Sequence, residues 1–243
     1  MAVHYRTQGF VLKKTDLREA DQVFDIFTKD FGKLEILGRA IRKIKSKLRS
    51  GADLFYLSEV EFIQGKTYKT LTDAITIEKF KNIRNDLEKL KAAYKITEVA
   101  DSLIRGEERD DKIWDLLSEV FNKLCDKPGL LVISQANHNL IYHYFVWNLL
   151  SILGYQIDLY NCVICRKNLI PLKLYFSSEE GGIICATCFD KTNERIDISS
   201  EVIKILRLLL KKDWNILLRL KIQDFHKEEL EVISEYYLKS LAS

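Results

Sequence analysis

Four cysteines in two short pairs constrain this chain more than any other feature: Cys162-Val163-Ile164-Cys165 and, after nineteen intervening residues, Cys185-Ala186-Thr187-Cys188. Each Cys-x-x-Cys knuckle presents two sulfurs on one side, and a connection of this length brings the second pair round to complete a tetrahedron, the pattern of a four-thiolate zinc site. Between the pairs, Lys173 to Phe176 and Ile183-Ile184 are β-prone runs joined by Ser177-Ser178-Glu179-Glu180-Gly181-Gly182, which reads as a hairpin linking the knuckles. Four protein ligands leave no coordination position for water or substrate. The expected metal is therefore one structural Zn2+ held by Cys162, Cys165, Cys185 and Cys188, with two redox-active dithiols or unrelated buried cysteines as the competing readings of the same residues.

The chain has 243 residues, 47% hydrophobic and 30% charged with a formal net charge of +3, which is enough apolar side chain for a core and too little net charge for a disordered one. Charge is unevenly spread. Residues 1–80 carry 15 Lys and Arg against 11 Asp and Glu, whereas 81–243 carry 23 against 24. The opening Met1 to Gln8 lacks the apolar centre of a signal peptide, and no stretch supplies about 18 consecutive apolar residues for a membrane span. A cytoplasmic location is expected, in keeping with cysteines in zinc-like pairs and one further thiol, Cys125, read as a buried small hydrophobe.

The first eighty residues read as five short strands: Gly9 to Lys14, Gln22 to Thr28, Lys33 to Leu37, Leu54 to Ile63 and Tyr68 to Ala74. In the fourth, Ser58, Val60 and Phe62 alternate with Glu59 and Glu61, the period of a half-buried strand. Five strands in so short a span suggest a small closed barrel, for which the oligonucleotide-binding (OB) fold is the common five-strand solution. Between the third and fourth strands, Gly38 to Arg49 holds Arg39, Arg42, Lys43, Lys45, Lys47 and Arg49 and no acidic residue. Such density beside a barrel suits a phosphate-binding surface, since each cation can replace a counterion condensed on a nucleic-acid backbone. Lys13, Lys14 and Arg18 are candidates to extend the patch. Phe55 and Tyr56 are candidates for stacking on bases, although aromatics on strands mostly face a core.

After residue 80 the apolar period becomes that of helices. Ile83, Leu87, Leu90, Tyr94, Ile96, Val99, Leu103 and Ile104 predict one helix; Ile113 to Leu124, capped by Asp110-Asp111 and broken at Lys127-Pro128-Gly129, predict a second. Leu140 to Leu153 is apolar on nearly every side and reads as the buried centre of a helical domain, with further helices starting at Ser199-Ser200-Glu201 and at Phe225. The expected class is α+β and multidomain: an N-terminal OB-fold five-stranded β-barrel over 1–80, then an α-helical domain over 81–243 with a four-cysteine zinc module inserted at 158–192.

No catalytic constellation competes: there is no Walker-type phosphate loop, no His-Glu-x-x-His and no Gly-x-Ser-x-Gly. His138 and His143 lie five apart on an apolar helix and read as core or helix-end residues. The acidic doublets Glu107-Glu108, Asp110-Asp111, Glu179-Glu180 and Glu228-Glu229 read as solvated helix ends and turns. The expectation is a non-enzymatic DNA-binding protein; alternatives are a zinc-stabilised RNA-binding or transcription-associated adaptor, a protein-only scaffold and, most remotely, a metalloenzyme.

Several short motifs stand in a set order along the chain: Thr7-Gln8-Gly9-Phe10-Val11-Leu12, the Phe31-Gly32-Lys33 turn, the glycine-led basic segment with Ser46, the run from Phe145 to Leu153-Gly154-Tyr155, and Cys162-x-x-Cys165 with Gly181-Gly182 before Cys185-x-x-Cys188. In these, taken together, the chain resembles a known family, the bacterial RecO recombination mediators. The resemblance implies binding of single- and double-stranded DNA, annealing of complementary strands, and cooperation with RecR in loading recombinase onto strands coated by single-strand-binding protein. It also implies the C-terminal tail of that protein as a partner. The family commonly has Gln-Pro-Phe after the basic segment where this chain has Asp53-Leu54-Phe55, which makes the entry to the fourth strand a place to expect a difference.

Overall fold

The computed structural model describes residues 3–125 and 138–242. The expected break at Lys127-Pro128-Gly129 lies outside them, as do Met1 and Ala2. The chain divides into two compact units, Met1–Lys127 and Pro128–Ser243. The expected boundary at 80/81 marks the change from strands to helices, but the first unit runs on through the helices that cover the barrel.

All five strands of the first unit are present: β1 (His4–Asp16), β2 (Gln22–Thr28), β3 (Gly32–Gly38), β4 (Leu57–Ile63) and β5 (Lys69–Glu78). They close into a barrel of order β1-β2-β3-β5-β4, an OB-like arrangement. β1 is longer than its apolar run because it serves two neighbours: His4 to Phe10 pair with β4, and Gly9 to Asp16 pair with β2 past an irregularity between Val11 and Lys13. Closure between β3 and β5 is short and parallel, through Ile36 with Lys69 and Leu37 with Thr70. In β4 the predicted alternation holds, Ser58, Val60 and Phe62 being buried and the residues between them half-exposed. Val11, Phe24, Ile26, Leu34, Ile36, Val60, Phe62 and Leu71 fill the interior.

β1 is also buried on its outer side. The ring of Phe10 packs on Phe80, Trp114 and Phe121, at centroid distances of 6.3, 5.1 and 5.5 Å. These partners lie on or beside α1 (Lys81–Arg84), α2 (Leu87–Leu103) and α3 (Asp111–Cys125). The single helix expected over Ile83 to Ile104 is thus two. Asp86 divides them, because its carboxylate caps α2 by accepting from the Glu88 and Lys89 N–H groups. The buried stripe of α2 runs through Ala92, Ala93, Ile96, Val99 and Ala100, which leaves Leu87 and Tyr94, expected inside, largely exposed. Asp110 caps α3 as predicted, accepting from Lys112 and Ile113 N–H.

In the second unit α4 (His138–Ile152) is buried along almost its whole length, with α5 (Ser200–Leu210) and α7 (Asp224–Ala242) packed on it. The Asn148 amide donates to the Leu209 carbonyl, and the Trp147 indole and His143 imidazole both meet the Ser234 hydroxyl at 3.0 Å. The two histidines are core residues, 4% and 1% exposed. Glu229 is not a solvated helix-end acid: its carboxylate receives the Ser199 N–H and hydroxyl, fixing the start of α5. The short α6 (Trp214–Leu217) was not legible in the sequence. No helix among the described residues is long and apolar enough to cross a membrane.

Between α4 and α5 the chain forms a three-stranded sheet: β6 (Leu174–Ser177), β7 (Gly182–Cys185) and β8 (Ile196–Ile198), in the order β7-β6-β8. The hairpin between the cysteine pairs is the predicted one. The sheet continues past the expected end of the module at 192, because β8 pairs with β6 through Ile198 and Leu174.

Candidate functional site

The strand period places the cysteines. On β6, Tyr175 faces the cysteine cluster and packs tilted against Phe189, ring centroids 4.6 Å apart, while its neighbour Phe176 faces the helices and meets Trp147, Tyr236 and Tyr237. One strand therefore fastens the module to its unit with one face and floors the cluster with the other. The first knuckle is tightened by Arg166 N–H to the Cys162 carbonyl and Cys162 N–H to the Lys167 carbonyl, with Arg166 in the left-handed region at φ 61°. Gly182 lets the hairpin approach it: a Cβ there would lie 2.4 Å from Val163 Cγ1.

The result is the predicted constellation. One ligand atom from each of Cys162, Cys165, Cys185 and Cys188 lies within 4.8 Å of the others. The Cys165 and Cys185 sulfurs are 3.8 Å apart, and the edge of a sulfur tetrahedron with metal–sulfur bonds of about 2.3 Å is itself about 3.8 Å. Cys162 and Cys188 are buried and the other two half-buried. The electrostatics pull the thiols apart. The Thr187 hydroxyl at 3.0 Å brings Cys185 down to about 6, whereas burial pushes Cys188 up to about 12. At Cys162 burial opposes ionisation but is outweighed by N–H groups, including that of Cys185, aimed at its sulfur. Some sulfurs are thus set up as thiolates, and a buried sulfur such as Cys188 ionises only with a cation beside it. The donor set fits a closed, four-coordinate soft metal ion.

In the first unit the basic segment leaves β3 at Gly38 and returns through a 3-10 turn, Lys47–Ser50. Ile41 anchors it in the barrel core and Leu48 packs against the same cluster, which turns Arg39, Arg42, Lys43, Lys45, Lys47 and Arg49 outward, all exposed. Ile44 stands among them 93% exposed. The segment is tied to the β1–β2 turn: Arg42 N–H donates to the Ala20 carbonyl, and Ala40 N–H to the Asp21 carboxylate at 2.7 Å. Arg18, exposed on that turn, therefore adjoins the segment. Among the described residues, Arg42 alone of the six has a carboxylate within 4 Å, namely Asp16 at 3.1 Å.

The two candidate lysines of β1 point to opposite sides. Lys14 joins Gln22, Arg42 and Arg49 in lining an open cleft of about 370 Å3 beside the segment. Lys13 instead meets Asp101 of α2 at 3.0 Å, as does Lys33 from its other side at 2.5 Å. Phe55 is 1% exposed and packs edge-on to Tyr94, so it belongs to the core; its left-handed φ of 67° marks the unusual entry to β4. Tyr56 is half-buried, with Lys79 and Arg84 over its ring at 5.5 and 5.4 Å. Sequence reasoning missed Asp53 and Arg84. Asp53 sits in the cleft, taking Lys14 Nζ at 2.5 Å and Arg84 at 3.3 Å, and no local pattern links positions 31 residues apart.

Comparison with known proteins matches both parts of the chain to one family. The sequence profile described as Recombination protein O N terminal matches residues 1–80, and that described as Recombination protein O C terminal matches 84–242. A protein of Dehalococcoides mccartyi named DNA repair protein RecO is 34% identical over 228 residues, 94% of this chain and 87% of its own length. Proteins of the same name from Desulforamulus reducens and Thermoanaerobacter sp. are 29% and 28% identical, over 97% and 96% of this chain and 90% and 91% of theirs.

Proposed function

The chain belongs to the RecO family of DNA repair proteins, and from that premise we propose that it is a DNA-binding recombination mediator with no catalytic chemistry of its own. The observation that supports this most directly is the basic segment: six exposed cations on a connection whose apolar residues Ile41 and Leu48 hold it against an OB-like barrel. A backbone anchored in that way presents its cations to phosphates without itself first having to be ordered. By neutralising two backbones at once, the surface lowers the repulsion that opposes pairing of complementary strands, and nothing in this requires ATP. The RecO resemblance extends the reading to double-stranded DNA, to recombinase loading with RecR, and to the C-terminal tail of single-strand-binding protein, in the cytoplasm at the nucleoid. In the second unit, one Zn2+ held by Cys162, Cys165, Cys185 and Cys188 acts as a structural staple.

The test is the salt dependence of single-stranded DNA binding, for the unaltered chain and for a variant with Arg39, Arg42, Lys43, Lys45, Lys47 and Arg49 changed to alanine. Each lost phosphate contact flattens the slope of log affinity against log salt by about 0.7 for a single strand. Equal slopes in the two proteins would overturn the placement of the surface. RNA of the same sequence, bound as tightly, would favour an RNA adaptor instead.

A further inference from the structure

Three of the cations around the cleft beside the basic segment are held by carboxylates of the chain itself. Asp53 Oδ1 accepts from Lys14 Nζ at 2.5 Å and from the Leu54 N–H at 2.9 Å, while Oδ2 faces Arg84 Nη2 at 3.3 Å. Asp16 holds Arg42 at 3.1 Å. Burial, the largest single influence, would raise the Asp53 carboxyl, but the hydrogen bonds from Lys14 and the Leu54 N–H together with the charges of Lys14 and Arg84 keep the group below its ordinary value, so it is an anion at neutral pH. The site is open to solvent: the Lys14, Asp53 and Arg84 side chains are 40%, 31% and 39% exposed. A carboxylate with two anionic oxygens accepting from a lysine and an arginine makes the same contacts as a backbone phosphate. Beyond Arg84 lies Tyr56, with a cation from Arg84 and another from Lys79 over its ring, the aromatic and basic pairing that receives unpaired bases.

We propose that Asp53 is a built-in phosphate substitute that keeps Lys14 and Arg84 in place in the free protein and yields them to a nucleic-acid backbone. The strand's track then runs from Arg42 and Arg49 through Lys14 to Arg84 and Tyr56. This rests on the reading of the basic segment as a nucleic-acid surface and adds residues that no run of positive charge reveals. Asp16 acts on Arg42 in the same way. The carboxylates keep the cleft ordered, and their negative charge limits its affinity. Removing one of them should strengthen DNA binding.

The experiment measures single-stranded DNA affinity against salt for the full chain, for Asp53→Asn, for Asp16→Asn, for Asp53→Asn with Arg84→Gln, and for the six-alanine variant of the basic segment. Asparagine keeps an acceptor for the Leu54 N–H and removes only the charge. Expected for each single variant are affinity raised about threefold near 0.1 M salt and a slope steeper by about 0.7. Adding Arg84→Gln to Asp53→Asn should cancel the gain. Weaker binding by Asp53→Asn with its unfolding transition unchanged would show the carboxylate to be a brace, and would overturn the proposal. Should Asp53→Asn fail to fold, Asp16→Asn decides alone, and no gain there overturns it. If the six-alanine variant loses binding while the asparagine variants match the unaltered chain, the exchange falls and the DNA surface stands. If the unaltered chain binds no DNA, both fall.

Discussion

Cys165 and Cys185, twenty positions apart, hold their sulfurs 3.8 Å from one another with no bond between them. The distance is that of two ligands on one metal ion and is far longer than a disulfide of about 2.05 Å. We expect one zinc per chain by atomic emission, and its loss, together with loss of amide protection from Cys162 to Cys188, in Cys188→Ser. The burial of Cys188 makes a serine there a poor ligand and an unpaired hydroxyl. If a metal held by the four sulfurs is coupled to folding, a chelator should reproduce the loss of protection in that segment and leave the barrel's amides unchanged. Full retention of protection in the metal-free protein would refute the staple.

A second prediction concerns the barrel's dependence on its helices. Phe10 packs outside the barrel against Phe80, Trp114 and Phe121, and the last of these also touches Phe55. A fragment of residues 1–80 would expose Phe10 and Phe55, each 1% exposed in the whole chain, and should aggregate, whereas 1–127 should fold. Within the larger fragment Phe121→Ala should cost about 3–5 kcal/mol by urea unfolding. Cooperative folding of 1–80 alone would show that the helices are dispensable.

How far the sequence could be read depended on whether the deciding contact was local. The strands, the Asp110 cap and the thiol cluster were legible because a period of two, an Asx cap and a Cys-x-x-Cys spacing are local rules. Leu87 and Tyr94 were misplaced because they share one face of α2 while Ile96 and Val99 lie on the opposite one with Ala92, Ala93 and Ala100, small residues whose apolar signal is weak. β8 escaped notice because Ile196 to Ile198 is a strand only by virtue of its pairing with β6. At the basic surface, the run of cations was visible while Asp53 and Arg84 were not, since theirs is a contact made by the fold.

Acid should weaken the first unit through Asp101. Burial, the largest single influence on this carboxyl, pushes it up, but Lys33 and Lys13 together hold it below its ordinary value of 3.8. A carboxyl depressed in the folded state stabilises above its unfolded value, and that contribution disappears as pH falls through the folded one. Asp25, raised chiefly by burial, contributes the opposite slope at higher pH. Asp101→Asn isolates the first effect. It should cost about 1–2 kcal/mol at pH 7, and its urea midpoint should converge on that of the unaltered chain as pH drops below about 4. A constant difference across that range would show that the ion pairs carry no net stabilisation.

The approach of the hairpin between the cysteine pairs to the first knuckle sets up a contrast between adjacent glycines. Gly181 is left-handed at φ +66°, with nothing within 4 Å of where a Cβ would sit, so Gly181→Ala meets only backbone strain, about 1 kcal/mol. A Cβ on Gly182 would lie 2.4 Å from Val163 Cγ1, inside the knuckle that carries Cys162 and Cys165. Relief requires the hairpin to withdraw, yet Val163 N–H is bonded to the Ile183 carbonyl at 2.9 Å, so the two segments must separate together. Such a shift parts Cys185 from the first pair of sulfurs. Gly182→Ala should therefore weaken zinc retention against a competing chelator at least about tenfold, and Gly181→Ala should lower stability with metal affinity nearly unchanged. Val163→Ala in the Gly182→Ala background removes the methyl in the way and should restore much of the affinity. Equal metal loss from the two glycine variants would mean that the hairpin turn governs the site, and not its contact with Val163.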